Sequence, residues 1–135
     1  MIVVGPGSLY TSLLPNLLVH DLLGAMQASR AVKVYVSNIA TQTGETDFLV
    51  SCYDHVRALE EHVGDRLFDV VLCNDNYGGQ LNADSLWVRA DEKTLSDARV
   101  RCEDLADEGH PWRHDSKKLA ETLSEILDEY SGPLE

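Results

Sequence analysis

The sequence predicts an α/β fold, Rossmann-like, with a mostly parallel sheet flanked by helices. Three observations carry this. Short β-branched runs, Ile2-Val3-Val4, Val32-Lys33-Val34-Tyr35-Val36 and Phe68-Asp69-Val70-Val71-Leu72-Cys73, read as strands. Helical patterns separate them, and that alternation builds a parallel sheet with helices on its faces. Small polar residues follow each strand, where such folds bind their ligands.

The first strand runs into Gly5-Pro6-Gly7-Ser8-Leu9-Tyr10-Thr11-Ser12. Glycines let a ligand approach the backbone, and the helix start that follows offers free N–H groups. Ser8, Thr11 and Ser12 add hydroxyl donors, so the stretch suits a phosphate. It is neither a Walker loop nor a full G-x-G-x-x-G fingerprint, and a plain glycine turn is the alternative reading. Residues from about 8 to 28 read as helical, with Leu13, Leu14, Leu17, Leu18, Leu22 and Met26 on the apolar side. Pro15 splits this segment and suits the first turn of a second helix.

After the second strand comes a polar loop from Ser37 to Asp47, then a helix from about Ser51 to Val63. Cys52, Val56, Leu59 and Val63 form one face of that helix, and Asp54, Arg57, Glu60 and Glu61 the other. Ser51 with Asp54 makes a capping box, and Gly64 suits the stop. Beyond the third strand, Asn74 to Asp84 is rich in turn residues. A short strand is expected around Leu86-Trp87-Val88, a small helix over Glu92 to Ala98, and a strand at Val100-Arg101-Cys102. The last helix runs from about Ser116 to Tyr130, capped by Asp115 or Ser116 and ended by Gly132-Pro133. Leu119, Leu123, Ile126, Leu127 and Tyr130 form its inner face.

The 135 residues are one domain's worth, and 44% hydrophobic content supports a core rather than disorder. A net charge of −12 argues against nucleic acid or an anionic membrane as partner. An anionic ligand must then be held by local donors, because the overall field opposes it. No apolar run is long enough to span a bilayer, and the start lacks a basic leader. Cys52, Cys73 and Cys102 are odd in number and widely spaced, which fits reduced, inert thiols in a cytoplasmic protein. A strand directly after Met1 fits either the opening phosphate loop of a Rossmann-like domain or the later part of a longer protein.

Three strand-end segments converge: Gly5 to Ser12, Asn38 to Asp47, and Asn74-Asp75-Asn76. The second is dense in donors and carries two carboxylates, Glu45 and Asp47. Either suits sugar hydroxyls, a hydrated magnesium ion or general-base work, and the alternative is a solvated loop that caps the next helix. A nucleophile reading of Ser8 finds no G-x-S-x-G elbow and no histidine in a defined relation to it. His110 and His114 are four apart, but Pro111 lies between them and no third ligand stands out, so no metal site is assigned. His55 reads as a partly buried, hydrogen-bonded histidine, and Trp87 and Trp112 as core or subunit-contact residues.

Taken together, GPGSLYTSLLPNLL, KVYVSNIATQTGETD and the Asp54-His55 pair resemble the later half of the YvcK group, the gluconeogenesis factors. These are relatives of the CofD-type phospholactate transferases of deazaflavin coenzyme synthesis. Trp112-Arg113-His114-Asp115 with Lys117, Lys118, Leu119 and Ala120 resembles the family's ending. The likeness runs from about Val3 to the last helix and is loosest from Asn74 to Trp112. The glycine-rich GGGTG loop that normally opens such proteins has no match here, and Thr43 stands where proline is usual.

The resemblance implies one CofD-like α/β domain over residues 1–135, the C-terminal portion of a longer protein, incomplete at its N-terminal side. It implies exposed apolar edges that a second copy could cover as a homodimer. It further implies a regulatory protein of carbon metabolism and cell-wall morphogenesis that binds a uridine-diphosphate sugar. The alternative is a magnesium-dependent transferase using the same cleft. By this resemblance Gly5, Gly7, Ser8, Leu9, Tyr10, Thr11 and Ser12 line the phosphate and sugar region. Asn38, Thr41, Gln42, Gly44, Glu45 and Thr46 face the ligand from the neighbouring loop.

Overall fold

The computed structural model describes residues 1–132, so Pro133 lies outside the described residues. Four strands form one sheet in the order β1-β2-β3-β4: Ile2–Val4, Lys33–Val36, Val70–Asn74 and Val100–Glu103. Every pairing is parallel, with Val3 beside Val34, Tyr35 beside Val71 and Cys73 beside Cys102. The sheet is therefore the all-parallel, helix-flanked, Rossmann-like arrangement expected from the alternating pattern.

Each strand end is followed by a loop or helix that returns across a face. Leu9–Leu13 is a π-helical turn, continued by α1 (Leu14–Leu17) and, after a break, by α2 (His20–Ala28). The helix α3 spans Cys52–Val63, α4 Glu92–Leu95 and α5 Ser116–Ser131. Alternation along the strands divides the core in two. Val4, Tyr35, Val71 and Cys73 face α1, α2 and α3 through Leu14, Leu17, Met26, Val56 and Leu59. Val34, Val36, Val70 and Leu72 face α5 through Ile126, with Leu119 and Leu123 packed alongside. Among the described residues no helix is long and apolar enough to cross a membrane.

Local signals hold well at α3. The Ser51 hydroxyl accepts from the Asp54 N–H, the Asp54 carboxylate accepts from the Ser51 N–H, and Gly64 follows at φ +92°. Asp115, not Ser116, caps α5 by accepting from the Lys117 and Lys118 N–H groups.

Long-range contacts overturn other expectations. Pro15 does open a helix, α1, in its first turn, but that helix ends at Leu17 and the chain turns extended at Val19, which leaves Leu18 and Leu22 exposed. Glu60, expected outside, is buried because Arg99 Nη1 reaches it at 2.6 Å from the loop before β4. Leu127 and Tyr130 are exposed rather than inward, since α5 meets the sheet chiefly through Ile126. The strand expected at Leu86-Trp87-Val88 is reduced to single bridges, Ala40 to Trp87 and Ser51 to Arg89. The cysteines also depart from expectation. Packing of α3 on β3 brings Cys52 and Cys73 to a Cα separation of 6.5 Å and their sulfurs are bonded, so only Cys102 is free.

Candidate functional site

Gly5 ends β1 at φ +86°, and a Cβ there would stand 2.5 Å from the Val36 carbonyl oxygen. Only glycine lets the chain leave β1 so close to β2. Gly7 then exchanges two bonds with Asn38: its N–H donates to Asn38 Oδ1 at 3.1 Å, and Asn38 Nδ2 donates to its carbonyl at 3.0 Å. This pair clamps the first strand-end loop to the second.

Beyond the clamp the chain coils widely. Leu13 N–H bonds to the Ser8 carbonyl and Leu14 N–H to that of Leu9, five residues back in each case. Such π turns recur at functional sites because they redirect backbone donors. Here the redirected donors meet a carboxylate. Glu45 Oε1 accepts from Ser8 Oγ at 2.5 Å, Tyr10 N–H at 3.0 Å and Thr11 N–H at 3.2 Å. The single hydroxyl proton of Ser8 is directed at Glu45, so in the contact between Ser8 Oγ and Thr11 Oγ1 the threonine is the donor. One carboxylate oxygen thus has three donors from a loop 34–37 positions away in sequence.

The loop that presents Glu45 is held by its own backbone. Thr46 Oγ1 accepts from the Gln42 N–H at 2.8 Å, and the Gln42 carbonyl accepts from the Glu45 and Thr46 N–H groups. Gly44, at φ +79°, donates to Asp47 Oδ2 at 2.8 Å. Thr41 bonds Leu86 twice, through its N–H and its Oγ1.

The proposed ligand residues therefore divide. Ser8, Tyr10, Thr11 and Glu45 converge on one point, with Tyr10 and Thr11 open to solvent. Gly5, Gly7 and Asn38 set the distance between the two loops. Gln42 and Gly44 shape the turn, while Thr41 and Thr46 are buried and satisfied within it. Leu9 lies fully buried in the core, not in the cleft. Ser12 lines, with Ile2, Val3, Leu22 and Met26, a groove of about 520 Å³ beside the free edge of β1.

The third strand end is separate in character. Asn74 is buried, accepting from the Leu105 N–H at 3.0 Å and donating to the Asn76 carbonyl at 2.6 Å. Asn76 Nδ2 donates to Asp104, which Lys118 Nζ also meets at 2.8 Å. Desolvation pushes the Asp104 carboxyl up, but the Lys118 ammonium and the Asn76 amide together hold it below the usual range.

Sequence reasoning missed a cleft of about 520 Å³ beside the start of α3, lined by Ser51, Asp54, Leu86, Trp87, Arg89 and Asp91. It depends on a loop that returns from far along the chain, where Arg89 stacks on Tyr77 at 4.5 Å, and no local sequence pattern marks it. Two histidines, His55 fully buried and His114 half-buried, also lie near the strand ends. His55 bonds the Ser51 carbonyl through Nδ1, and burial holds its pKa down. Burial pushes the His114 ring down to about 4, and its Nε2 is shut away from solvent without a hydrogen-bond partner. Among the described residues no group of three or more His, Cys, Asp or Glu side chains is arranged to hold a metal ion.

The sequence matches the family described as 2-phospho-L-lactate transferase CofD over residues 1–129. It is 40% identical to a putative gluconeogenesis factor of Thermoanaerobacterium thermosulfurigenes over 94% of this chain and 42% of that protein. It is 55% identical to the gluconeogenesis factor of Listeria innocua over 74 residues, 55% of this chain and 23% of the relative. A crystal structure of a UPF0052 family member from Bacillus halodurans superposes with a TM-score of 0.77 at 34% identity, covering 91% of this chain and 42% of that one. The chain spans less than half the length of these relatives.

Proposed function

The chain belongs to the CofD family, and from that premise we propose that it carries part of the cleft in which a regulatory protein holds a nucleotide sugar of the uridine-diphosphate class. The observation that supports this most is the convergence of Ser8 Oγ, Tyr10 N–H and Thr11 N–H on a single oxygen at the carboxyl ends of β1 and β2. Hydroxyl and amide donors gathered on one anionic oxygen are what a ligand phosphate needs, and in parallel α/β sheets this is where ligands sit. The kinship with gluconeogenesis factors supports a role in carbon metabolism; cell-shape control, a cytoplasmic setting and contacts with other proteins are the finer parts of the proposed reading. The rest of the ligand would be met by the parts of such proteins that this chain does not span.

The family description names a transferase, and the resemblance to such enzymes implies magnesium. The carboxylates nearest the cleft are Glu45, held by Ser8, and Asp47, held by the Gly44 N–H. They form no ready ligand set with a third residue, so no step is derived through the ion.

Calorimetric titration with a uridine-diphosphate sugar, with and without magnesium, tests the proposal. The expected result is magnesium-independent binding that Ser8→Ala weakens roughly tenfold, the size of one charge-assisted hydrogen bond. Magnesium-dependent turnover of a nucleotide-linked donor would move the transferase ahead.

A further inference from the structure

We infer that the Glu45 carboxylate is a resident anion that keeps the Ser8–Thr11 donors filled, and that a phosphorylated ligand binds by displacing it. The inference rests on the proposed phosphate role of those donors and adds the regulation of that site.

Glu45 Oε1 receives every donor that converges at the site: Ser8 Oγ at 2.5 Å, Tyr10 N–H at 3.0 Å and Thr11 N–H at 3.2 Å. Thr11 N–H is shared with Ser8 Oγ at 3.3 Å, and the Thr11 hydroxyl is turned to Ser8 as well. A phosphate oxygen entering this point finds no vacant donor, so it binds only when the carboxylate leaves.

No Lys or Arg occurs in residues 1–29 or 34–56, so both loops that form the site are free of cations, and the chain as a whole carries −12. A phosphate and the Glu45 carboxylate held together at these donors would repel each other at short range, with no cation in either loop to offset the repulsion. The donors accommodate one anion at a time.

Displacement is mechanically simple. The turn from Gln42 to Asp47 is fixed by the Gln42–Thr46, Gly44–Asp47 and Thr43–Asp84 bonds, none of which uses the Glu45 side chain. Swinging that side chain out leaves the turn in place. Tyr10, Thr11 and Ser12 are exposed, so the site opens directly to solvent. Binding and release of Glu45 become one exchange, and the carboxylate sets the ligand threshold.

The test titrates uridine diphosphate into the wild type, Glu45→Gln, Glu45→Ala and Ser8→Ala, with melting temperature measured for each. Removing the resident charge raises affinity roughly tenfold or more in both Glu45 variants, while Ser8→Ala lowers it. Unchanged or weaker binding by both Glu45 variants, with Ser8→Ala still weakening it, would overturn the displacement and leave the phosphate site standing. Absence of binding by every folded form overturns the phosphate site and the displacement with it.

Discussion

The strand ends over β1 and β2 and those over β3 and β4 are closed by different chemistry. Over β1 and β2, neutral hydroxyl and amide donors surround a single carboxylate, with no cation in either loop. Over β3 and β4, the Asp104 carboxylate is met by the Lys118 ammonium, and the Asn74 amide joins Leu105 to Asn76. A carboxylate held by neutral donors can be exchanged for another anion, because the donors serve either one. The Asp104–Lys118 pair is exposed and costs little to break, but the buried Asn74 amide cannot be displaced without leaving the Leu105 N–H unpaired. The first pair of loops is therefore suited to a ligand and the second to holding the fold.

The largest expected effect falls where the first region is tightest. Gly5→Ala forces a Cβ to 2.5 Å from the Val36 carbonyl at a positive φ, and should cost about 3 kcal/mol or more. Chemical denaturation measures it, and a loss under about 1 kcal/mol would show that the two loops are not held at a fixed spacing. Asn74→Ala tests the second region. It leaves the buried Leu105 N–H without its acceptor and should cost about 2 kcal/mol while leaving ligand affinity unchanged. Lost affinity would show that the two regions work as one site.

The smallest effect is a pH dependence. His114 lies on the loop before α5 with its Nε2 shut away from solvent and unpartnered, and its pKa is lowered from 6.5 to about 4. A folded-state pKa below the unfolded value means that the neutral ring is favoured in the fold. Its contribution is complete above pH 6.5 and is lost as pH falls toward about 4. The melting temperature should decline across that window, and His114→Gln should flatten the decline. His55 acts in the same direction. An equal decline in the variant would assign the effect to other groups.

How far the sequence could be read follows from how local each signal is. The strands at Ile2, Lys33 and Val70 and the capping box at Ser51 and Asp54 depend on neighbours within a few residues, and all were legible. The burial of Glu60 depends on Arg99, 39 positions away, and the Cys52–Cys73 bond spans 21, so neither shows in a local pattern. The candidate site divides the same way. Gly5, Ser8 and Glu45 were each visible as residue types suited to an anion or a sugar. That Glu45 would occupy the donors of Ser8, Tyr10 and Thr11 depends on two loops meeting above a parallel pair of strands, and only the fold reveals it.

The most direct test of the phosphate site is an amide NMR titration of this chain with uridine diphosphate. The account predicts the largest shifts at the Tyr10 and Thr11 N–H groups and at Glu45, with Gly78 and Leu105 unmoved. Shifts confined to the Asn74–Leu105 side, with Tyr10 and Thr11 silent at saturation, would contradict it.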